Sequence, residues 1–200
     1  MTKLSWPNRI TITRILLIAP FVVCLLHLQD PLYGPWPRYA ALAVFALMAI
    51  SDGLDGYLAR RLQQRTRLGA FLDPMADKIL IMCAMIMLGY TGTSVLGKKI
   101  PDMVVVAAIA KDFIVVVGFM MVFFLTGQAL VKTRLSGKAC TAAQLLTVLS
   151  VLLWPDLPGW LTYLPDTLWW LSLVLAVTAA LDYVRVGGNF LNSQGTIRQA

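Results

Sequence analysis

Two hundred residues with 58% hydrophobic side chains and 14% charged ones are too apolar for an ordinary soluble domain and read as a polytopic membrane protein. All 10 acidic residues are Asp, so the Glu-rich surface of soluble helices is missing, and a net charge of +7 suits loops on an anionic leaflet and phosphate-bearing substrates. Nucleic acid is set aside as a partner, because the basic residues flank apolar spans instead of forming a tract with interleaved aromatics.

Taken in order, Met1 to Asn8 is short and polar, with Trp6 as an interfacial anchor. Pro7 and Asn8 open a first span over Arg9–Leu28, about 20 residues and long enough to cross roughly 30 Å of hydrocarbon. Its apolar run from Ile15 leads into charged and Pro-rich residues with no small-residue cleavage site, which argues against a removable signal. Arg14 either snorkels to the interface or reaches toward a ligand. Gln29–Pro37 is a loop by its Pro and Gly content, and a second span follows from Arg38 to Leu62. A third covers Leu68–Tyr90, and Pro74 is tolerated in its first turns because early N–H groups lack partners. The fourth, Asp102–Leu125, embeds Lys111 and Asp112, which either pair with each other or turn one charge toward a polar site. The fifth, Lys138–Trp154, begins K-A-C-T-A-A-Q, placing Lys138, Thr141 and Gln144 at three-residue steps along one face. The sixth, Thr167–Val186, is closed by Gly187 and Gly188 before a polar tail. Cys24, Cys83 and Cys140 sit in apolar segments and read as small core residues, and His27 as interfacial.

The expected architecture is therefore all-α: six transmembrane helices in one domain over residues 1–200, with a polar cavity facing the cytoplasm. Six spans put both termini on one side. That side holds Lys3, Arg9, Arg14, Arg60, Arg61, Arg65, Arg67, Lys132, Arg134, Lys138, Arg185 and Arg198, against Arg38, Lys98 and Lys99 on the other. The asymmetry makes the termini cytoplasmic, and the expected location is the cell (inner) membrane.

Ser51 to Lys78 is where the chemistry concentrates. Asp52 and Asp55 are three residues apart, and Asp73 and Asp77 four apart, so each pair shares one face of its helix. An Asp inside a membrane helix costs roughly 2.5–3.5 kcal/mol, and four converging carboxylates repel, so a divalent cation or two is the natural neutraliser. Hard oxygen donors without nearby Cys or His favour Mg²⁺, Mn²⁺ or Ca²⁺ over Zn²⁺. Gly53, Gly56 and Ala59 recur at three-residue steps, baring one side of the helix to close packing or to a flat ligand. Asp52 lies about 13 Å before the Arg60–Arg61 end at 1.5 Å per residue, so the cluster sits near one membrane face.

The spacing D-G-x2-D-G-x2-A-R-x8-G-x3-D-x3-D, carried by Asp52, Gly53, Asp55, Gly56, Ala59, Arg60, Gly69, Asp73 and Asp77, resembles the signature of the integral-membrane CDP-alcohol phosphatidyltransferases. The resemblance covers residues 52–77 directly and is specific for the reaction class. It implies transfer of the phosphatidyl group from CDP-diacylglycerol to an alcohol, with release of CMP. Asp52, Asp55 and Asp73 would be the principal ligands of Mg²⁺ or Mn²⁺, two ions in all. Asp77 would be the general base and complete the metal set. Asn8, Gly53, Gly56, Ala59, Arg60 and Gly69 would line the pocket for the CDP part, and the P-N-R-I-T-I-T-R opening resembles a further family stretch. Dimers are usual in the family, so a homodimer is expected.

Lys111, Arg134 and Lys138 are the candidates for holding an anionic acceptor. The length, the P-N-x-I-T opening, A-F-L-D-P-M-A-D-K and the start of the fifth span resemble the branch that uses glycerol 3-phosphate and makes phosphatidylglycerophosphate. Ala110–Lys111–Asp112 departs from the Arg-Glu usual there and is similar to the S-R-D of CDP-alcohol-type cardiolipin synthases, whose acceptor is phosphatidylglycerol. A metal-binding transporter is the alternative of another class. It predicts acids near the midplane and spread over several helices, against the clustering seen here.

Overall fold

A computed structural model of the chain describes residues 6–62, 67–126 and 135–197, with the side chains of residues 13–51, 78–118, 120, 135–183 and 185. Among the described residues there are six α-helices: α1 (Trp6–Leu26), α2 (Trp36–Leu62), α3 (Arg67–Gly89), α4 (Asp102–Thr126), α5 (Leu135–Leu153) and α6 (Leu164–Ile197). Among the described residues there is no strand, only an isolated bridge between Val95 and Lys98. By length and composition, Leu135–Asp156 and Gly159–Tyr183 are long and apolar enough to cross a membrane, and Thr13–Leu26, Trp36–Ser51 and Lys78–Gly89 are shorter apolar helices.

The element order is as expected, and the helix ends differ. α1, α2 and α6 each begin a residue or more earlier than predicted, with Pro7, Pro37 and Pro165 inside the first turn. Proline costs little there, since its missing N–H has no intrahelical acceptor. Asn8 is accordingly within the first turn of α1 instead of capping it. α6 does not stop at Gly187–Gly188 but runs to Ile197. Glycine lowers helix propensity by about 1 kcal/mol per residue, which a continuing hydrogen-bonded helix can absorb.

Packing follows from where small and bulky residues fall. α1 lies against α2 and α3, α6 against α4 and α5, and α3 meets α4 and α5 in the middle. Phe21, Leu25, Met48, Ile81, Met85, Leu88, Val148 and Leu152 fill the centre, and the Phe21 and Phe45 rings lie 5.7 Å apart. Ala41, Ala84, Ala108, Ala143, Ala176 and Ala179 are buried at helix contacts, the small-residue pattern that lets backbones approach where lipid supplies no hydrophobic drive. Gly89 makes a close contact between helices: a Cβ there would lie 2.7 Å from Val105 Cγ2 of α4. Outward faces carry Leu16, Val23, Ile50, Val106, Phe113 and Val174, a surface suited to hydrocarbon.

Long-range polar contacts show that successive helices alternate in direction. Beyond α1, Gln29 Nε2 donates to Thr91 O (2.8 Å) and Ser94 Oγ (2.7 Å), just past α3. Arg38, at the start of α2, pairs with Asp156 after α5 at 2.6 Å. Lys98 before α4 pairs with Asp166 at the start of α6 at 2.7 Å and lies 5.3 and 5.1 Å from the Trp154 and Trp169 ring centres. The same end exposes Trp36, Tyr90, Trp160 and Tyr163, an aromatic belt of the kind found at membrane–water boundaries. The opposite end therefore gathers the start of α1, the end of α2, the start of α3, the end of α4 and the start of α5.

Candidate active site

At that opposite end, the backbone is helical through both halves of the aspartate pattern. Asp52 and Asp55 lie in the last three turns of α2, Asp73 lies in the second turn of α3, and Asp77 is midway along α3. The three- and four-residue spacings thus fall on real helices, and each pair occupies one helix face. Four residues separate Leu62 from Arg67, so the two halves of the pattern lie on consecutive helices. The side chains of Asn8, Asp52, Gly53, Asp55, Gly56, Ala59, Arg60, Gly69, Asp73 and Asp77 lie outside those described, and Arg134 lies outside the described residues. Among the described residues no group of three or more His, Cys, Asp or Glu could hold a metal ion. The donor set of the aspartate pattern, four hard carboxylates on two consecutive helices, fits an oxygen-loving divalent cation.

Directly after Asp77 begins a polar cluster whose members come from three helices. Lys78 of α3 donates to the carboxylate of Asp112 on α4 and to Thr141 Oγ1 on α5 at 3.4 Å. Asp112 Oδ1 also takes Lys111 Nζ at 2.8 Å, and Lys111 Nζ donates to Gln144 Oε1 of α5 at 3.1 Å. Lys111, Asp112 and Gln144 are buried, with 1%, 0% and 0% of their surface exposed, whereas the Lys78 side chain keeps 16%. The ion-pair reading of Lys111–Asp112 is therefore realised, and Lys78 of α3 and Gln144 of α5 join the pair midway along α4. One carboxylate serves two ammonium groups, so these three residues carry a net single positive charge, a setting that suits an anionic group.

Arg14 is buried at 2% exposure on α1, which sets aside snorkelling and turns it inward. Lys138 is exposed on the first turn of α5 and does not share the buried face of Gln144, because a six-residue step turns a helix by about 240°. Near it, Gly137 lies against Tyr183 of α6, where a Cβ would stand 2.8 Å from Tyr183 Oη. Cys140 is buried, while Cys24 and Cys83 are half-buried free thiols. His27 is at the other end, bonded through Nδ1 to Val23 O at 2.9 Å and edge-on to Tyr33, away from any site.

Lys78 and Gln144 are the members of the cluster that sequence reasoning did not assign. The available signals were the Lys following Asp77 and the Gln three residues after Thr141. What ties them to Asp112 is contact between α3, α4 and α5.

A family model described as CDP-alcohol phosphatidyltransferase matches residues 4–184. Proteins named CDP-diacylglycerol–glycerol-3-phosphate 3-phosphatidyltransferase from Escherichia coli (strain K12) and Shigella flexneri serotype 5b (strain 8401) are each 34% identical to this chain over 179 residues, 89% of this chain and 92% of the relative. A third, from Shigella boydii serotype 4 (strain Sb227), matches to the same extent. The chain belongs to the CDP-alcohol phosphatidyltransferase family.

Proposed function

We infer that this chain transfers the phosphatidyl group of CDP-diacylglycerol to glycerol 3-phosphate, releasing CMP and giving phosphatidylglycerophosphate. The observation that carries this reading is the complete nine-position pattern from Asp52 to Asp77 on two consecutive helices, in a chain whose near full-length relatives bear that activity's name.

The acceptor hydroxyl attacks the phosphorus that bears the diacylglycerol, a new P–O bond forms, and the bond to CMP breaks with its electron pair leaving on CMP. Asp77 takes the hydroxyl proton as the bond forms. Asp52, Asp55, Asp73 and Asp77 would hold Mg²⁺ or Mn²⁺, two ions, which when bound neutralise the pyrophosphate and the departing phosphate. Asn8, Gly53, Gly56, Ala59, Arg60 and Gly69 receive the CDP part, with Arg60 opposing phosphate charge. Lys111, Arg134 and Lys138 attract the acceptor phosphate. The acyl chains stay in lipid while the head group enters a cytoplasm-facing cavity.

The same reading has one domain with six spans in the inner membrane, both termini and the site facing the cytoplasm. The alternating helix directions, the apolar outer faces and the aromatic belt at the far end support it. A homodimer is proposed on family grounds, and its mass in detergent reads it directly.

The test uses purified protein in detergent with Mg²⁺ and CDP-diacylglycerol. CMP release is followed against glycerol 3-phosphate, phosphatidylglycerol, inositol phosphate and serine, with Asp77→Asn as control. Release with glycerol 3-phosphate that vanishes in the variant is expected. Release only with phosphatidylglycerol would make the protein a cardiolipin synthase, and no release with any acceptor would return it to the metal-binding alternative.

A further inference from the structure

The buried cluster at Lys111 holds two polar atoms that its own hydrogen bonds leave unused. Asp112 Oδ2 and Gln144 Nε2 are both buried and, among the described residues, without a hydrogen-bond partner. The orientation of the Gln144 amide is set by chemistry. An ammonium can only donate, so the atom 3.1 Å from Lys111 Nζ is the carbonyl oxygen, and the NH₂ is the atom left over. Asp112 is fixed in the same way, its Oδ1 engaged by Lys111 Nζ at 2.8 Å and also by Lys78. The leftover atoms are an acceptor on α4 and a donor on α5, each sharing a carbon with an atom that binds the one Lys111 ammonium.

A group that donates once and accepts once fits such a pair, and a hydroxyl does both through one oxygen. Two sources share that chemistry, a water molecule and a hydroxyl of the acceptor. Position favours the acceptor. Lys78, the partly exposed member of the cluster, follows Asp77 in the chain, so the cluster adjoins the residue assigned the reacting hydroxyl's proton. An acceptor with hydroxyls on neighbouring carbons presents its second one beside the first. We propose that Gln144 and Asp112 form a specificity subsite for the non-reacting hydroxyl of the polyol phosphate acceptor, Gln144 Nε2 donating to its oxygen and Asp112 Oδ2 accepting its proton. The proposal rests on the function inferred above and adds to it what distinguishes this acceptor from a simple alkyl phosphate alcohol. Lys111, through Oδ1 and Oε1, is the positioning residue that holds both groups in orientation.

The experiment compares sn-glycerol 3-phosphate with 3-hydroxypropyl phosphate, which lacks the middle hydroxyl, using CMP release by the purified full chain with CDP-diacylglycerol and Mg²⁺. The wild type should prefer glycerol 3-phosphate by at least about tenfold in kcat/KM, since a site built to bond a hydroxyl discriminates against its absence. Gln144→Met should reduce that preference to within about threefold by losing rate with glycerol 3-phosphate alone. Gln144→Glu keeps an oxygen for Lys111 but removes the donor, and should show the same collapse if the Met variant fails to fold. A wild type that uses both acceptors equally would overturn the proposal. So would variants that lose the same factor with both, which would assign the pair to a bound water or to packing. Absence of CMP release with either acceptor, alongside release with another alcohol, would overturn the functional reading and this subsite with it.

Discussion

Asp112→Asn tests the balance of charge in the buried cluster midway along α3, α4 and α5. The carboxylate is fully buried and holds both Lys111, at 2.8 Å, and Lys78. At that separation the attraction to Lys111 alone is about 6 kcal/mol at an effective dielectric near 20, most of it offset by the desolvation of both groups. Removing one partner forfeits the attraction and keeps the desolvation cost, so the expected loss is about 3–5 kcal/mol. For a chain of this length that is about 6–20 °C in melting temperature. The assay is retention of monodisperse protein after stepwise heating in detergent, with ligand absent. Lys111→Met should cost less, because it leaves Lys78 and Asp112 as a neutral pair. The Lys111→Met/Asp112→Asn double variant should recover at least half of the single loss, since the cluster's charge returns to its original value. An Asp112→Asn protein melting within about 2 °C of wild type, or a double variant no better than the single, would refute the shared-carboxylate reasoning.

Gly89→Ala should destabilise by about 1–3 kcal/mol, because the new methyl meets Val105 Cγ2 at 2.7 Å, while Gly118→Ala, with nothing within 4 Å, should be neutral or slightly stabilising; paired melts read both. Asp77→Asn should cut CMP release by about 10²–10⁴-fold while melting like wild type, as expected of a general base and not of a packing residue. Chelation with EDTA should abolish release, and Mg²⁺ or Mn²⁺ should restore it; full activity in EDTA would remove the metal role from the four aspartates. At the far end, the hydrogen bond from Arg38 holds the Asp156 carboxyl below the ordinary carboxylate value of 3.8. The resulting stabilisation is present above that value and lost as pH falls through the lower folded one. The melting difference between wild type and Asp156→Asn should accordingly be constant near neutrality and close as the pH drops below about 4. A difference that widens on acidification would contradict the ion pair.

Much of this protein was legible before any coordinates. The helix count follows from apolar runs broken by Pro and Gly. The reaction class follows from the family resemblance carried by the nine positions from Asp52 to Asp77, all of them within one short stretch of sequence. Both are local properties, set within one helix or one loop. Helix ends were less legible at Pro7, Pro37 and Pro165, since proline is permitted both before a helix and in its first turn. At Gly187–Gly188, the helix continued through residues that disfavour it without forbidding it. The contacts of Lys78, Lys111, Asp112 and Gln144 were a different matter. Lys111 and Asp112 are adjacent in sequence, and nothing in their order tells which neighbour each charge meets. Lys78 and Gln144 lie more than 30 positions away on either side. Only the packing of α3, α4 and α5 brings these residues into one buried cluster, and low-dielectric surroundings then force each charge and amide to find a partner.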